Sequence, residues 1–433
     1  VAVTVAEQDR TTPFAGLPST SRLLHPAGPG GSSTLAAHVE QHGALPGVFG
    51  NQLIEIIEAS GLTGRGGAAF PVARKLRAVA SQSGPAIVVG NASEGEPAAF
   101  KDKTLLARNP HVVLDGLTLA ARATGATQAY LYVHDDKRLI DVVRRAILER
   151  RAARIDQPSI EFVVAPDRFI AGEESAVVAV LEGRGPVPRA KPPRVFECGV
   201  YGRPTLVQNA ETLAHIALIA RYGASWFRAL GTTDEPGTML CSVSGCVRQP
   251  SVIEAAIGTP IRQVFDAAGG LTEPVQAVLF GGYHGGWLRA ADVVPLSLSN
   301  ADLRPRGAAL GAGVLVALPA SVCGLAEAAR VMLYLAEESA GQCGPCVHGL
   351  PRLADMFDRI AVPHRSGRGE RASREIDRAI ELLKGRGACN HPDGGVRFAI
   401  SSLGAFREEL EHHARGRCTA TSGHEVLPTP RGW

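Results

Sequence analysis

What this chain of 433 residues lacks excludes several kinds of protein. It has no block of like charge: 45 Lys and Arg face 42 Asp and Glu, for a net charge of +3, and the basic residues are scattered. So weak a balance argues against nucleic acid or an anionic membrane as partner and reads as solvated surface. It has no long apolar run either. The longest uncharged stretch, 307–326, is broken by four Gly and by Pro319, and its apolar centre is only Val314 to Leu318. That pattern predicts a buried strand, a turn and a helix start, with no direct membrane insertion. The opening VAVTVAEQDRTTPF lacks the basic and apolar segments of a secretory signal. Eight cysteines are too sparse for a disulfide scaffold, so the expected setting is a reducing cytoplasm, with the chain either free or peripheral to a membrane complex. There is no Ser-His-Asp pattern, and the glycine loop near residue 64 does not fit the G-x-G-x-x-G fingerprint.

A further absence is a single atom type at a single position. Cys343 and Cys346 form a C-x-x-C pair between glycine turns, and Cys389 follows in the Gly-rich segment GRGACNHPDGG. Thiolates are the soft ligands that hold iron–sulfur clusters, and a cubane normally takes four. Where C-x-x-C-x-x-C would need its first thiol stands Ala340. The chain therefore shows most of a cluster site and a gap in it.

Residues 1–50 are rich in Pro, Gly, Ser and Thr and predict an extended, loosely packed arm. Beyond a short helical pattern, Ala86–Gly90, Ala129–His134 and Ile160–Ala165 are apolar strands, with helical spacing over His111–Thr124 and Arg138–Arg151 between them. This order predicts an α/β, parallel, doubly wound domain over 51–235. Residues 236–305 predict a small α+β module. Residues 306–413 predict a bundle of four helices, at Leu325–Glu338, His348–Ile360, Arg371–Lys384 and Val396–His413, with the cysteines at its loops and helix ends. Residues 414–433 read as a frayed tail.

Four loops carry candidate chemistry. In GRGGAAFPVARK, Gly64, Gly66 and Gly67 let backbone N–H groups approach an anion, and Lys75 can reach a phosphate. NASEGEPAAFKDK follows the first strand, at the end where doubly wound folds bind ligands, and carries Asn91, Glu94 and Glu96. Gly172, Glu173 and Glu174 precede an apolar helix, where one Glu is explained by capping and two less well. Gln208 and Asn209 precede another.

In this order, and with these cysteines, the loops resemble the flavin-bearing NADH dehydrogenase subunit of respiratory complex I and its relatives in NAD-linked hydrogenases and formate dehydrogenases. The family patterns GRGGAGFP, NADEGEPG-x-FKD, GEET and PT-x-VNN-x-ET stand here as GRGGAAFP, NASEGEPAAFKD, GEES and PTLVQNAET. The resemblance implies a Rossmann-like FMN-binding domain, a ubiquitin-like β-grasp module and a four-helix bundle holding a 4Fe-4S cluster. By motif match, Gly64, Gly66, Gly67, Lys75, Asn91, Glu94, Gly172, Glu173, Gln208 and Asn209 would contact FMN. Phe70, Glu96, Glu174 and Lys191 would face the nicotinamide nucleotide, with Glu96 and Glu174 at the reacting end. Cys343, Cys346 and Cys389 would ligate a 4Fe-4S cluster, or a 3Fe-4S cluster given Ala340. The implied reaction oxidises NADH or NADPH and passes single electrons to an iron–sulfur or ferredoxin-like partner within a hetero-oligomer.

The chain departs from the family at two places. Ala78 and Arg194 stand where the family has aromatic rings against adenine, and stacking of a base is worth about 1–3 kcal/mol. Arg77 and Arg194 become candidates for guanidinium stacking or for a 2′-phosphate. Candidates for the missing cluster ligand are Cys323, His348, His391, Cys418, a water or a partner's cysteine. The rival reading is a scaffold or altered-donor electron-transfer subunit that has lost tight NADH binding.

Overall fold

The computed structural model describes residues 21–24, 34–363 and 368–430. Much of the arm expected over 1–50 lies outside them, as do the last three residues of the expected tail. The part of the arm that is described is anchored. The backbone N–H groups of Arg22, Leu23 and Leu24 converge on Glu254 Oε2 at 2.9, 2.8 and 3.2 Å. Leu23 and Leu24 are fully buried, and the Arg22 guanidinium lies 4.0 Å from the Trp226 ring centroid.

The first sheet contains β1 (Ala86–Ala92), β2 (Ala126–His134), β3 (Ile160–Ala165) and β4 (Thr205–Asn209) in the order β3-β2-β1-β4. Every pairing is parallel, as the crossover helices Pro110–Thr124 and Lys137–Ala152 require. Residues Ala86–Gly90 of β1 read as an apolar run because both faces of the strand are covered. Val88 joins a core shared with the helices Pro110–Thr124 and Ala210–Arg228, while Ile87 and Val89 face the helix Glu174–Leu181. After β3 the chain returns across the sheet to lay β4 beside β1, pairing Asn91 with Asn209. The strand order reverses at this pair, and such a switch point leaves a crevice at the strands' C-terminal ends.

The second sheet contains β5 (Thr238–Gly245), β6 (Ser251–Ala256), β7 (Val275–Phe280), β8 (Gly286–Arg289) and β9 (Val314–Pro319), in the order β6-β5-β9-β7-β8. The boundary expected at residue 306 is corrected here. β9 is the central strand of this sheet, parallel to β5 and antiparallel to β7, with all six residues buried. Its apolar run is a strand, as expected, but its partners lie far upstream and no local pattern announces them.

The C-terminal region holds helices Gly324–Glu337, Leu350–Ala361, Arg368–Leu383, His391–Ala405 and Arg407–Ala414. The last expected segment, Val396–His413, is two helices parted at Phe406, whose buried ring packs 5.3 Å from Trp287. The expected frayed tail is also corrected: residues 418–430 form a strap. Thr421 and Ser422 N–H groups donate to Ser321 O at 2.9 Å, Leu427 N–H donates to Glu327 Oε2 at 2.8 Å, and Pro428 O accepts from the Tyr283 hydroxyl at 2.6 Å.

Candidate functional site

The loops that follow β1 and β4 open onto a cavity of about 680 Å³. That size lies within the usual range for a cofactor or small ligand. Gly66, Gly67, Asn91, Glu94, Glu96, Gly172, Glu173 and Asn209, all selected from the sequence, line it. The second sheet's loops and the helical region contribute Gly281, His284, Asn390, His391 and Arg397. Three parts of the chain that are separate in sequence therefore share one wall.

The polar groups around the cavity hold one another in place. Asn91 Nδ2 donates to Gly172 O at 3.0 Å, and its Oδ1 accepts from Ser93 N–H at 3.1 Å. Glu94 is buried and accepts from the N–H groups of Asp102 and Lys103, both at 3.1 Å, in the first turn of the helix Lys101–Arg108. Burial and the nearby Asp102 carboxylate raise its pKa. Glu173 caps the helix Glu174–Leu181 through Ser175 and Ala176 N–H. Asn209 caps the helix Ala210–Arg228, and its Nδ2 donates to Asp102 Oδ2 at 2.6 Å. Side chains expected to touch a cofactor thus also satisfy orphan donors at helix starts.

Glu96 accepts from Tyr283 N–H at 2.9 Å, and burial pushes its carboxyl up to about 8. An unfolded glutamate titrates near about 4.3. Between these values the folded protein keeps a proton that the unfolded chain has released. Stability from this group therefore falls as pH rises through that window, and the loss is complete above about pH 8. Glu96→Gln keeps the acceptor without the charge. Its thermal midpoint, followed from about pH 5 to about pH 9, is expected to gain on the wild type as pH rises; a constant difference would contradict the burial argument.

Gly64, Phe70, Lys75, Glu174, Lys191 and Gln208 lie outside the cavity lining. Gly64 N–H closes the glycine loop on Phe70 O at 2.9 Å. Phe70 is exposed, with the Arg74 guanidinium 5.3 Å from its ring centroid. Lys75 Nζ lies 2.7 Å from Glu174 Oε1 and donates to Val207 O at 2.6 Å, so it is already partnered. Lys191 bonds Glu173 Oε1 at 3.1 Å and lies 3.9 Å from Glu174 Oε2. These four charges meet the cavity at Glu173.

Lys101 and Glu211 complete the network without having stood out in the sequence. The Lys101 ammonium is fully buried, 2.9 Å from Asp102 Oδ1 and 2.9 Å from Glu211 Oε2. Glu211 Oε1 accepts from Leu240 N–H at 2.8 Å, which ties the network to β5. A lysine in FKDK looks like surface, and nothing local in the sequence announces its burial.

The residues present fit FMN. Gly67 has φ +118° with open space where a Cβ would stand, and a Cβ on Gly66 would come within 3.1 Å of Asn209 Cβ, so this loop needs glycine to present its backbone closely. Ser93 lines the cavity and its Oγ is buried without a protein partner, which leaves a polar atom for a ligand.

The donor set also fits an iron–sulfur cluster. Cys343 and Cys346 bring their Sγ atoms within 3.5 Å, and Cys346 and Cys389 are buried. Burial raises both of these thiols, Cys346 to about 11. Asn390, adjacent in the chain to Cys389, lines the cavity, so the third thiol belongs to the segment that forms this part of its wall. Most of the proposed replacements for the missing thiol are eliminated. His391 has both ring nitrogens engaged, by His284 Nε2 at 3.0 Å and Leu335 O at 2.7 Å. Cys323 stands at the opposite end of the helix Gly324–Glu337 from Ala340, a helix length of about 20 Å away, and Cys418 is beside Cys323. His348 is exposed on the turn after Cys346.

Residues 57–218 match the Nuo51 FMN-binding domain, 241–286 the SLBB domain, and 326–413 the NADH-ubiquinone oxidoreductase-F iron-sulfur binding region. The chain is 32% identical over 391 residues to the F 2 subunit of NADH-quinone oxidoreductase from Rhizobium meliloti, covering 85% of this chain and 90% of that protein. It is 29% identical to the HndC subunit of the NADP-reducing hydrogenase from Solidesulfovibrio fructosivorans, covering 87% and 80%. Among solved structures, an NAD+-reducing [NiFe]-hydrogenase in the air-oxidised state superposes with TM-score 0.75 at 32% identity over 84% of this chain. The match spans 62% of that hydrogenase chain.

Proposed function

The chain belongs to the family of NADH-quinone oxidoreductase F subunits, and from that premise we propose that it is an NAD(P)H-oxidising flavin and iron–sulfur electron-transfer subunit. The carrying observation is the cavity at the β1/β4 switch point, whose wall includes Asn390, the chain neighbour of Cys389. FMN, when bound, supplies the conversion between a two-electron nicotinamide donor and one-electron carriers. The protein contributes position and charge. The glycine loop, Asn91, Gly172 and Asn209 shape the cofactor wall. Glu96, held by Tyr283 N–H, and Glu174, held by Lys75, are the acidic groups set to orient the nicotinamide end. Phe70 and Lys191 form the outer rim. Cys343, Cys346 and Cys389 hold the cluster that leads to a partner protein of iron–sulfur or ferredoxin type within a hetero-oligomer. The expected activity of the purified chain is diaphorase activity, the reduction of a dye by NADH or NADPH. The second sheet is read as a β-grasp module and the C-terminal region as a variant of the four-helix iron–sulfur bundle. No helix among the described residues is long and apolar enough to cross a membrane.

The altered-donor reading has its own support. Ala78 and Arg194 remove two rings that would stack on adenine. Arg77 is occupied, donating two hydrogen bonds to Glu58 at 2.9 and 2.8 Å, which leaves exposed Arg194 as the candidate for a 2′-phosphate. Anaerobic absorbance spectra of the purified protein with each donor test both readings. Bleaching of bound flavin by NADH or NADPH supports the enzyme; NADPH is expected to be tolerated and NADH to bind weakly. A flavin that neither donor reduces leaves the scaffold reading. Lys75→Ala, which leaves Glu174 and Val207 O without their cation beside the glycine loop, is expected to lower flavin retention on dialysis; retention equal to the wild type would show that this ion pair does not support the site.

A further inference from the structure

At the end of the helical region remote from Cys343, Cys346 and Cys389, a second set of metal-binding side chains converges. Cys323 stands at the N-cap of the helix Gly324–Glu337. Glu409 and His413 lie one turn apart on the helix Arg407–Ala414, and Cys418 opens the C-terminal strap. Their ligand atoms all lie within 4.8 Å of one another. Cys323 Sγ is 3.6 Å from His413 Nε2, which is 2.9 Å from Glu409 Oε1. With Zn–S near 2.3 Å and Zn–N near 2.0–2.1 Å, a tetrahedral zinc places neighbouring S and N donors about 3.6 Å apart. From this geometry we propose that Cys323, Glu409, His413 and Cys418 bind a structural zinc ion.

The surroundings are built as a metal site requires. His413 Nδ1 donates to Ile360 O at 2.8 Å, which fixes the ring and turns the Nε2 lone pair toward the thiols. Glu409 is held from outside by Thr419, whose N–H donates to Oε1 at 2.9 Å and whose hydroxyl donates to Oε2. Cys323, Glu409 and His413 are buried, while Cys418 is exposed and closes the outer side. Two thiolates, an imidazole and a carboxylate suit zinc, and four protein ligands leave no open position, so the ion is structural. It roots the strap that runs from Cys418 past Ser321 and Glu327 to Tyr283. Tyr283 N–H in turn holds Glu96, so the metal fastens the far end of the segment that buttresses the cavity.

Metal analysis of the anaerobically purified full chain tests this. One zinc per chain is expected, lost in Cys323→Ser and in Cys418→Ser but retained in Cys343→Ser and Cys389→Ser, which lose iron instead. Thr419→Val replaces no ligand but removes the hydroxyl that holds Glu409, and should weaken zinc by about 10–100-fold in chelator competition. Protein grown on cobalt should show tetrahedral cobalt–thiolate absorption that depends on Cys323. Where a Ser variant fails to fold, a chelator added to wild type decides: alkylation of Cys323 and Cys418, read by peptide mass, should rise together with zinc release. Absence of zinc, zinc lost with Cys343 or Cys389 instead, or a disulfide between Cys323 and Cys418 overturns the proposal.

Discussion

Cys389→Ser is expected to yield protein that retains flavin and contains no iron. With Ala340 in the position of the fourth ligand, the cluster rests on three thiolates, and two cannot hold it. The protein offers little rescue. His391 is spent on His284 and Leu335 O, and Cys323 and Cys418 sit at the far end of a helix. Cys343→Ser and Cys346→Ser should behave alike. Ala340→Cys should do the opposite and keep iron and sulfide through exposure to oxygen that strips the wild type. Iron and sulfide analysis with EPR of the reduced protein reads all four variants. Iron that survives Cys389→Ser would refute the site and leave the flavin as the redox centre.

Lys101→Met is expected to cost about 3–5 kcal/mol in urea unfolding, because it leaves buried carboxylates without their cation. Burial alone would raise Glu211, yet the Lys101 ammonium holds it down at about 2. A carboxylate depressed in the fold contributes stability above its unfolded value, and loses it as pH falls toward about 2. The deficit of Lys101→Met should therefore be largest at neutral pH and shrink as pH falls, because without the lysine burial raises Glu211 and lets it take a proton that the wild type accepts only toward about pH 2. Adding Glu211→Gln should recover part of the loss, since removing both charges is milder than stranding one. Flavin retention should fall with stability, because Asp102 also holds the Nδ2 of Asn209. A loss under about 1 kcal/mol would mean that the network is solvated and not buried.

The parallel sheet was legible because each crossover element carries its own period: the apolar run Ala86–Gly90, the helical spacing of His111–Thr124 and the strand Ile160–Ala165 each state their type locally. Residues tied to a glycine turn or a helix start were legible for the same reason. Gly66, Asn91, Glu173 and Asn209 sit where backbone geometry restricts the residue type, and all four line the cavity. The cysteine pair and its gap at Ala340 are likewise a matter of spacing along one segment.

What the chain alone left open depends on partners distant in sequence. β9 reads as a strand anywhere, but its place at the centre of the second sheet was decided by β5 and β7. Residues 418–430 look like a polar tail until Glu327 and Tyr283 supply their hydrogen bonds. Lys101 has the composition of surface and the environment of core, a difference set entirely by Asp102 and by Glu211 more than a hundred residues away. Cys323 and Cys418 were candidates for the cluster by ligand type, and the length of one rigid helix removed them and set them beside His413 instead. The sequence by itself determined the element types, the family and the donor chemistry, because these follow from local spacing. The tertiary structure alone decided which charges are buried and which thiols meet, because both depend on distances that only the packed chain creates.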